Sequence, residues 1–169
     1  MAFLFHDAEE MIFQHRWMLK NRNRITTRFP KAEKMVNHLS SLNNVAFGIA
    51  VAEEFLIILF ATLLVLSVAD ASMLMWMWIG LFGAFSLHLL VHMAQAVMLH
   101  SYVPGVVTSV LMLPYCAYVM HSIALVYPLW GIAIATLAGA LFAAANLLAA
   151  HRLGTYVSQK LKNTTYCLL

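Results

Sequence analysis

Long apolar runs alternate with short polar breaks over most of the chain, and this pattern predicts helices that cross a membrane. The runs cover residues 43–68, 72–99, 105–126 and 129–150. Each run contains the roughly 20 apolar residues that a helix needs to span a bilayer. Because the breaks are short, consecutive runs are expected to cross in opposite directions. The sequence therefore predicts an all-α fold, an integral membrane bundle of four transmembrane helices.

The first 40 residues depart from this pattern because ionisable side chains interrupt the apolar positions. Residues 1–19 predict a short helix, too charged to span comfortably, that lies at the interface or is partly inserted. Residues 20–40 are rich in basic side chains, contain Pro30 and are predicted as a loop. We expect a single membrane domain over 1–169, divided into the motif helix 1–19, the basic loop 20–40, the bundle 43–150 and a polar cytoplasmic tail 151–169.

Composition and charge place these elements in a membrane. Of the 169 residues, 63% are hydrophobic and 10% are charged, whereas a soluble domain has about half apolar and a quarter charged residues. Every Lys and Arg lies within 16–34 or after 151. Four spans bring both basic segments to one face, which the positive-inside rule assigns to the cytoplasm. This distribution explains the basic residues without a nucleic-acid partner.

A few ionisable side chains interrupt the predicted spans, and four of them share one depth. Glu53 and Glu54 lie ~15 Å from the cytoplasmic start of the first span, while His92 and His88 lie ~12 and ~18 Å from the cytoplasmic end of the second. The two histidines are four residues apart and therefore share a helix face. Ionisable groups in lipid are costly and mark functional sites. Because neighbouring residues point about 100° apart, the sequence does not decide which glutamate faces inward.

The N-terminal helix adds a second set of ionisable groups. His6, Glu9 and Glu10 are spaced to share one helical face, whereas Asp7 points elsewhere and is expected to be solvated. If this helix tucks in from the cytoplasmic side, its face meets the four groups of the spans. The remaining histidines at helix ends and in polar loops are expected to be ordinary surface residues: His15, His38, His100 and His151.

A cluster of buried acids needs positive charge, and the spans contain no Lys or Arg. Metal ions are the simplest source, and glutamate oxygens with histidine nitrogens suit zinc, iron or manganese. We expect one or two divalent transition metal ions, zinc or iron foremost, with ligands drawn from His6, Glu9, Glu10, Glu53, Glu54, His88 and His92. A proton-sharing network that locks the helices together and an ion-coupled pathway are the alternatives.

Two short motifs, "HDAEE" at 6–10 and "YVPG" at 102–105, resemble those of the HXXEE family of bacterial membrane proteins. "HDAEE" at 6–10 is similar to the defining His-x-x-Glu-Glu motif, and "YVPG" at 102–105 is similar to the family's Tyr-x-Pro-Gly motif. His92 stands where the family carries a further histidine, with His88 as its competitor, and "AEEF" at 52–55 resembles an acidic stretch. The resemblance covers roughly residues 3–150. It implies site residues and a bacterial inner membrane location without implying a reaction.

The residues favour a membrane-embedded metal-dependent enzyme, hydrolase-like, that acts on an amphipathic or lipid-like small molecule in the bilayer. Glu9 or Glu53 would serve as general acid or base. Tyr102 is either an interfacial anchor or a hydroxyl that orients a substrate or ligand. A di-iron oxidase and a metal-free isomerase or cyclase are rival enzymes. A small transporter or ion-coupled binder and a structural accessory protein are the non-enzymatic readings. Both termini are expected in the cytoplasm, and the oligomeric state is left open.

Overall fold

The computed structural model describes residues 2–68 and 72–166, and all regular structure within these residues is helical. The α-helices are α1 (Ala2–Arg28), α2 (Glu33–Ser41), α3 (Asn44–Ser67), α4 (Ser72–Leu99), α5 (Val106–Ala124) and α6 (Leu129–Tyr166). A short 3-10 helix, Pro30–Ala32, connects α1 to α2. The all-α architecture predicted from the sequence is therefore confirmed.

Four of these helices are long and apolar enough to cross a membrane: α3, α4, α5 and the Leu129–Leu161 part of α6. Their apolar side chains mostly point outward, since only 6% of the most apolar segment of α3 is buried inside the protein. Leu56, Phe60 and Leu66 of α3 are each more than 60% exposed. An apolar surface of this extent is unusual for a protein in water. The pattern is that of a membrane protein.

The predicted boundaries of the N-terminal region were wrong. α1 continues well past residue 19, and the segment 20–40, predicted as a loop, contains the end of α1 and all of α2. Ile25 explains the longer helix, because it is buried in an apolar cluster with Met18, Val36, Leu99 and Val103. Pro30 follows the end of α1, as expected from the restriction that proline places on the residue before it. Tertiary packing thus stabilises a helix whose composition is polar.

The predicted polar tail is also helical, because α6 runs unbroken to Tyr166. Residues 167–169 of that tail lie outside the described residues. His151 was expected at the surface but is only 2% exposed, with its Nδ1 3.3 Å from Nε2 of His38. Nearby, the Asn43 amide donates to the Ser158 hydroxyl over 2.9 Å. These contacts join the end of α6 to α2 and the start of α3.

The position of α1 depends on how the four long helices pack. α6 packs along α3 and α4. A Cβ at Gly139 would collide with the Gly80 backbone, so the close approach of α4 and α6 requires glycine at this crossing. α1 packs against α2, α3 and α5. Its first turn also reaches α4, where the rings of Phe3 and Phe85 lie 5.9 Å apart. The N-terminal half of α1 is therefore held beside the C-terminal half of α4.

Candidate metal centre

Three histidines and one glutamate from two helices converge at one point. α1 contributes His6 and Glu10, and α4 contributes His88 and His92. One potential ligand atom from each of these side chains lies within 4.8 Å of the other three. Nε2 of His92 is 3.1 Å from Oε1 of Glu10 and 3.0 Å from Nε2 of His88. The two residues that each helix contributes are four positions apart, so the helical repeat directs both side chains to the same face of their helix.

Thr108 of α5 fixes the orientation of His6. Its hydroxyl oxygen lies 2.6 Å from Oε2 of Glu9 and 3.1 Å from Nδ1 of His6. Because an ionised carboxylate can only accept, the hydroxyl donates to Glu9 and accepts from Nδ1–H of His6. Nε2 of His6 then carries the free lone pair. That atom is buried and has no hydrogen-bond partner among the described residues, which is the arrangement expected of a histidine ligand held by hydrogen bonds behind it.

Glu9, predicted as a ligand and as a catalytic residue, lies outside this group of four because it caps α5. Its Oε2 accepts from the Thr108 amide over 2.8 Å, and its Oε1 accepts from the Tyr102 hydroxyl over 2.7 Å. The N-cap residue Gly105 has no side chain to satisfy the first amides of α5. Burial alone would raise the pKa of Glu9, but the hydrogen bonds from Thr108 and Tyr102 lower it below its ordinary value. Glu9 therefore stays ionised.

The Tyr-x-Pro-Gly turn closes the site from the side of α5. Gly105 has φ +87°, in the left-handed region that glycine tolerates best. A Cβ there would lie 2.9 Å from Cε1 of His6 and 3.0 Å from Nδ1 of His92. Burial and the hydrogen bond to Glu9 raise the pKa of Tyr102, which keeps the hydroxyl protonated as a donor. Position 105 therefore requires glycine for two reasons: the backbone is left-handed there, and a side chain would collide with the imidazoles of His6 and His92.

The other predicted acids are not among the four converging side chains. Glu53 of α3 accepts a hydrogen bond of 3.0 Å from the Asn146 amide of α6. Glu54 also belongs to α3 and is likewise absent from the converging set. Asp7, which we expected to be solvated, is only 5% exposed. Burial, and then the charges of Glu10 and Glu54, raise the pKa of Asp7 to about 8. The sequence predicted a common depth for Glu53, Glu54 and the two histidines of α4, but depth does not determine which face of α3 meets the site.

The charge states of the two α1 ligands favour a cation. Burial lowers the pKa of His6 to about 4, although Glu10 opposes this shift. Burial alone would raise the pKa of Glu10, but the hydrogen bond with His92 and the neighbouring imidazoles lower it. Neutral imidazole and ionised carboxylate are the forms that bind metals. Three imidazole nitrogens with one carboxylate oxygen form a donor set that suits zinc or iron.

An open apolar groove of about 630 Å³ lies between α1 and α5, on the side of Glu9. Its lining consists of Leu4, Phe5, Ala8, Glu9, Ile12, Phe13 and Thr108. Only Glu9 and Thr108 bring polar groups to this wall, and both are hydrogen-bonded to each other. Since Thr108 also contacts His6, the groove and the cluster of ligands share a wall.

Thr108 is the functional residue that the sequence analysis missed. A local signal was present, since Thr108 is the third residue of a helix that begins directly after Gly105. The first amides of a helix need acceptors, and polar residues in this turn often take part in supplying them. The acceptor is Glu9 of α1, about a hundred residues earlier in the chain, and no local sequence pattern predicts a partner at that distance.

The comparisons with known proteins agree with the motifs. The family model described as a protein of unknown function with an HXXEE motif matches residues 1–119. This match covers well over half of the chain, including all four converging residues, so the chain belongs to this family. No curated protein and no solved structure was found to match the chain.

Proposed function

We propose that this HXXEE-family protein is a membrane-embedded metalloenzyme in which His6, Glu10, His88 and His92 bind a divalent transition metal ion, zinc or iron. The observation that carries the proposal is the convergence of their four ligand atoms within 4.8 Å. Buried polar atoms in proteins are nearly always partnered. A bound metal ion would supply the partner for Nε2 of His6 and the countercharge for Glu10.

The arrangement of basic residues supports a location in the bacterial inner membrane with both termini on the cytoplasmic side. The basic end of α1 lies at the end of α4, where Arg24 donates to the Leu99 carbonyl over 2.6 Å. The end of α6, with Arg152, is joined to α2 through the His38–His151 contact. The basic segments of both ends of the chain therefore share one face, which the positive-inside rule assigns to the cytoplasm.

The chemistry that fits this site best is hydrolysis of an amphipathic substrate. A bound zinc or iron ion would act as a Lewis acid that activates water or polarises a substrate oxygen. The apolar groove along α1 and α5 would accept the hydrophobic part of the substrate. Because the pKa of Glu9 is lowered, Glu9 is a weak base, and we assign it to positioning His6 through Thr108. Tyr102 holds Glu9 in place through its hydroxyl.

Metal analysis of the protein purified in detergent tests the binding site. We expect about one equivalent of zinc or iron in the wild-type protein, since ligands of this kind bind such ions tightly. Glu10→Gln and His92→Ala should lose the metal. Glu53→Gln in α3 and His121→Ala in the last turn of α5 are matched controls outside the group of four and should retain the metal. Wild-type protein without metal, or equal losses in the control variants, would refute the proposed site.

The enzymatic part is tested separately with metal-loaded protein in vesicles of bacterial lipid extract. Mass spectrometry of the lipids distinguishes the reaction classes: hydrolysis adds the atoms of one water across a bond, oxidation adds oxygen or removes hydrogen, and isomerisation leaves the mass unchanged. We expect hydrolysis products that disappear with a chelator and in His92→Ala. Identical lipid profiles for the wild-type protein and this variant would contradict an enzyme acting on membrane lipids.

A further inference from the structure

We infer that the groove between α1 and α5 binds an anionic phospholipid, with an acyl chain against the apolar wall and the phosphate at Arg16 and Lys20. This inference rests on the proposed function, because it names the substrate class of the same site. It depends on three features: one continuous face of α1, the depth at which that face lies, and the charge at its end.

One face of α1 passes from apolar to basic. Phe5, Glu9, Ile12, Arg16 and Lys20 are separated by three or four residues, so they form one line along the helix. The first three line the groove. The two basic residues continue this line beyond it, are exposed to the surroundings, and form no ion pair within residues 2–68 or 72–166. The face therefore offers an apolar wall followed by two cations without a protein counter-ion.

The depth of this face matches that of a lipid molecule. Phe3 contacts Phe85, which lies about 21 Å along α4 from its end at Leu99. Met18 belongs to the same buried apolar cluster as Leu99 at that end. α1 thus passes from the interior of the bilayer to its cytoplasmic face between residues 3 and 18. The groove lies at the level of the acyl chains, and Arg16 lies at the level of the headgroups.

The charge distribution selects the headgroup. Glu9 is the only acid in the groove lining, and its two oxygens are already occupied by Thr108 and Tyr102. Both carboxylate oxygens of Glu9 are therefore hydrogen-bonded to the protein, and the rest of the groove lining brings no charge to an acyl chain. Arginine and lysine near a membrane surface attract anionic headgroups, and the arginine guanidinium matches the geometry of a phosphate. With the phosphate at Arg16, Glu9 lies about 10 Å further along α1, on the side of the acyl chains.

A binding experiment on the full chain in detergent tests this inference. The probe is phosphatidylglycerol with a fluorescent acyl chain, and binding is followed by fluorescence anisotropy. Unlabelled phosphatidylglycerol should displace the probe at lower concentration than phosphatidylcholine with the same chains. The double variant Arg16→Gln/Lys20→Gln should bind the probe roughly 30-fold more weakly, since each surface cation is worth roughly fivefold in affinity for an anionic lipid.

Matched variants separate this site from a general charge effect. The double variant Arg22→Gln/Lys34→Gln also removes two exposed cations, but these residues are not on the face of α1 that lines the groove. Because salt screens distant charges, the affinity of this variant for the probe should stay within about twofold of the wild-type value. Ala8→Trp, which fills the groove, should weaken binding of both lipids. Equal weakening by the two charge variants would overturn the inference. So would equal displacement by the two lipids, or displacement by inorganic phosphate alone.

The outcome is independent of the outcome for the metal site. Metal content is measured on the same preparations, and Arg16→Gln/Lys20→Gln should retain its metal because neither residue contacts the four ligands. A wild-type protein that holds metal but does not prefer phosphatidylglycerol overturns the lipid inference alone. A protein that prefers phosphatidylglycerol but holds no metal supports the groove and refutes the metal site.

Discussion

Replacing Thr108 by valine removes a single hydroxyl group while keeping the shape of the side chain. The change breaks two contacts together, the 2.6 Å hydrogen bond to Oε2 of Glu9 and the 3.1 Å hydrogen bond from Nδ1 of His6. The backbone amide of residue 108 still donates to Glu9, so the cap of α5 is only weakened. The substitution therefore acts mainly on the orientation and tautomer of His6.

The change should affect both the stability of the fold and the affinity for the metal. A hydrogen bond to a charged group contributes about 1.5–3 kcal/mol to stability. Loss of a residue that orients a metal ligand typically weakens metal binding about 10–100-fold, which corresponds to about 1.4–2.8 kcal/mol. We therefore expect the dissociation constant for the metal to rise roughly 10–100-fold in Thr108→Val.

The assay is a competition between metal-free protein in detergent and a chromophoric chelator. Thr108→Ser is the matched control, because it loses a methyl group but keeps the hydroxyl, and it should bind metal nearly as tightly as the wild-type protein. Circular dichroism establishes that both variants are folded. If Thr108→Val binds metal with wild-type affinity, or if the serine variant is impaired equally, the connection from Glu9 to His6 has no role in the site.

The remaining predictions concern the turn before α5 and the bound metal. Gly105→Ala should lower the free energy of unfolding by about 1–2 kcal/mol because of its left-handed backbone, and should weaken metal binding because its Cβ reaches His6 and His92; an unchanged thermal midpoint would contradict the packing described for this turn. Tyr102→Phe removes one hydrogen bond to Glu9 and should lower the thermal midpoint while changing the metal affinity less than the valine variant does; a larger metal loss would assign Tyr102 to the ligands. Chelation should lower the thermal midpoint of the wild-type protein, because metal present at 100 times its dissociation constant stabilises the fold by about 2.7 kcal/mol. The same treatment should leave His92→Ala unaffected, and an equal shift in both proteins would indicate a nonspecific effect of the chelator.

The sequence predicted those features that helical geometry determines. Apolar runs of sufficient length marked the four helices that are long and apolar enough to cross a membrane, because a bilayer sets the length of a helix that crosses it. The spacing of His88 and His92 placed both on one face because the helical repeat is fixed. Opposite chain directions predicted a similar depth for Glu53, Glu54 and the two histidines, and this common depth stays a prediction.

Features that depend on contacts between distant elements could not be predicted in this way. The rotation of α3 about its axis is set by packing against α6, where Asn146 bonds to Glu53. The length of α1 depends on burial of Ile25 in an apolar cluster with Val36, Leu99 and other residues distant in sequence, which cannot be read from a polar stretch of sequence. The role of Thr108 depends on a carboxylate from another helix. Each of these features needed the tertiary structure.

The most direct measurement of the central claim is X-ray absorption at the metal edge of the protein purified with its bound metal. The account predicts a first shell of nitrogen and oxygen atoms, with the outer-shell scattering of three imidazole rings from His6, His88 and His92. His92→Ala should reduce or abolish this signal. A spectrum without imidazole scattering, or a purified protein without zinc or iron, would contradict the claim that these histidines and Glu10 form a metal site.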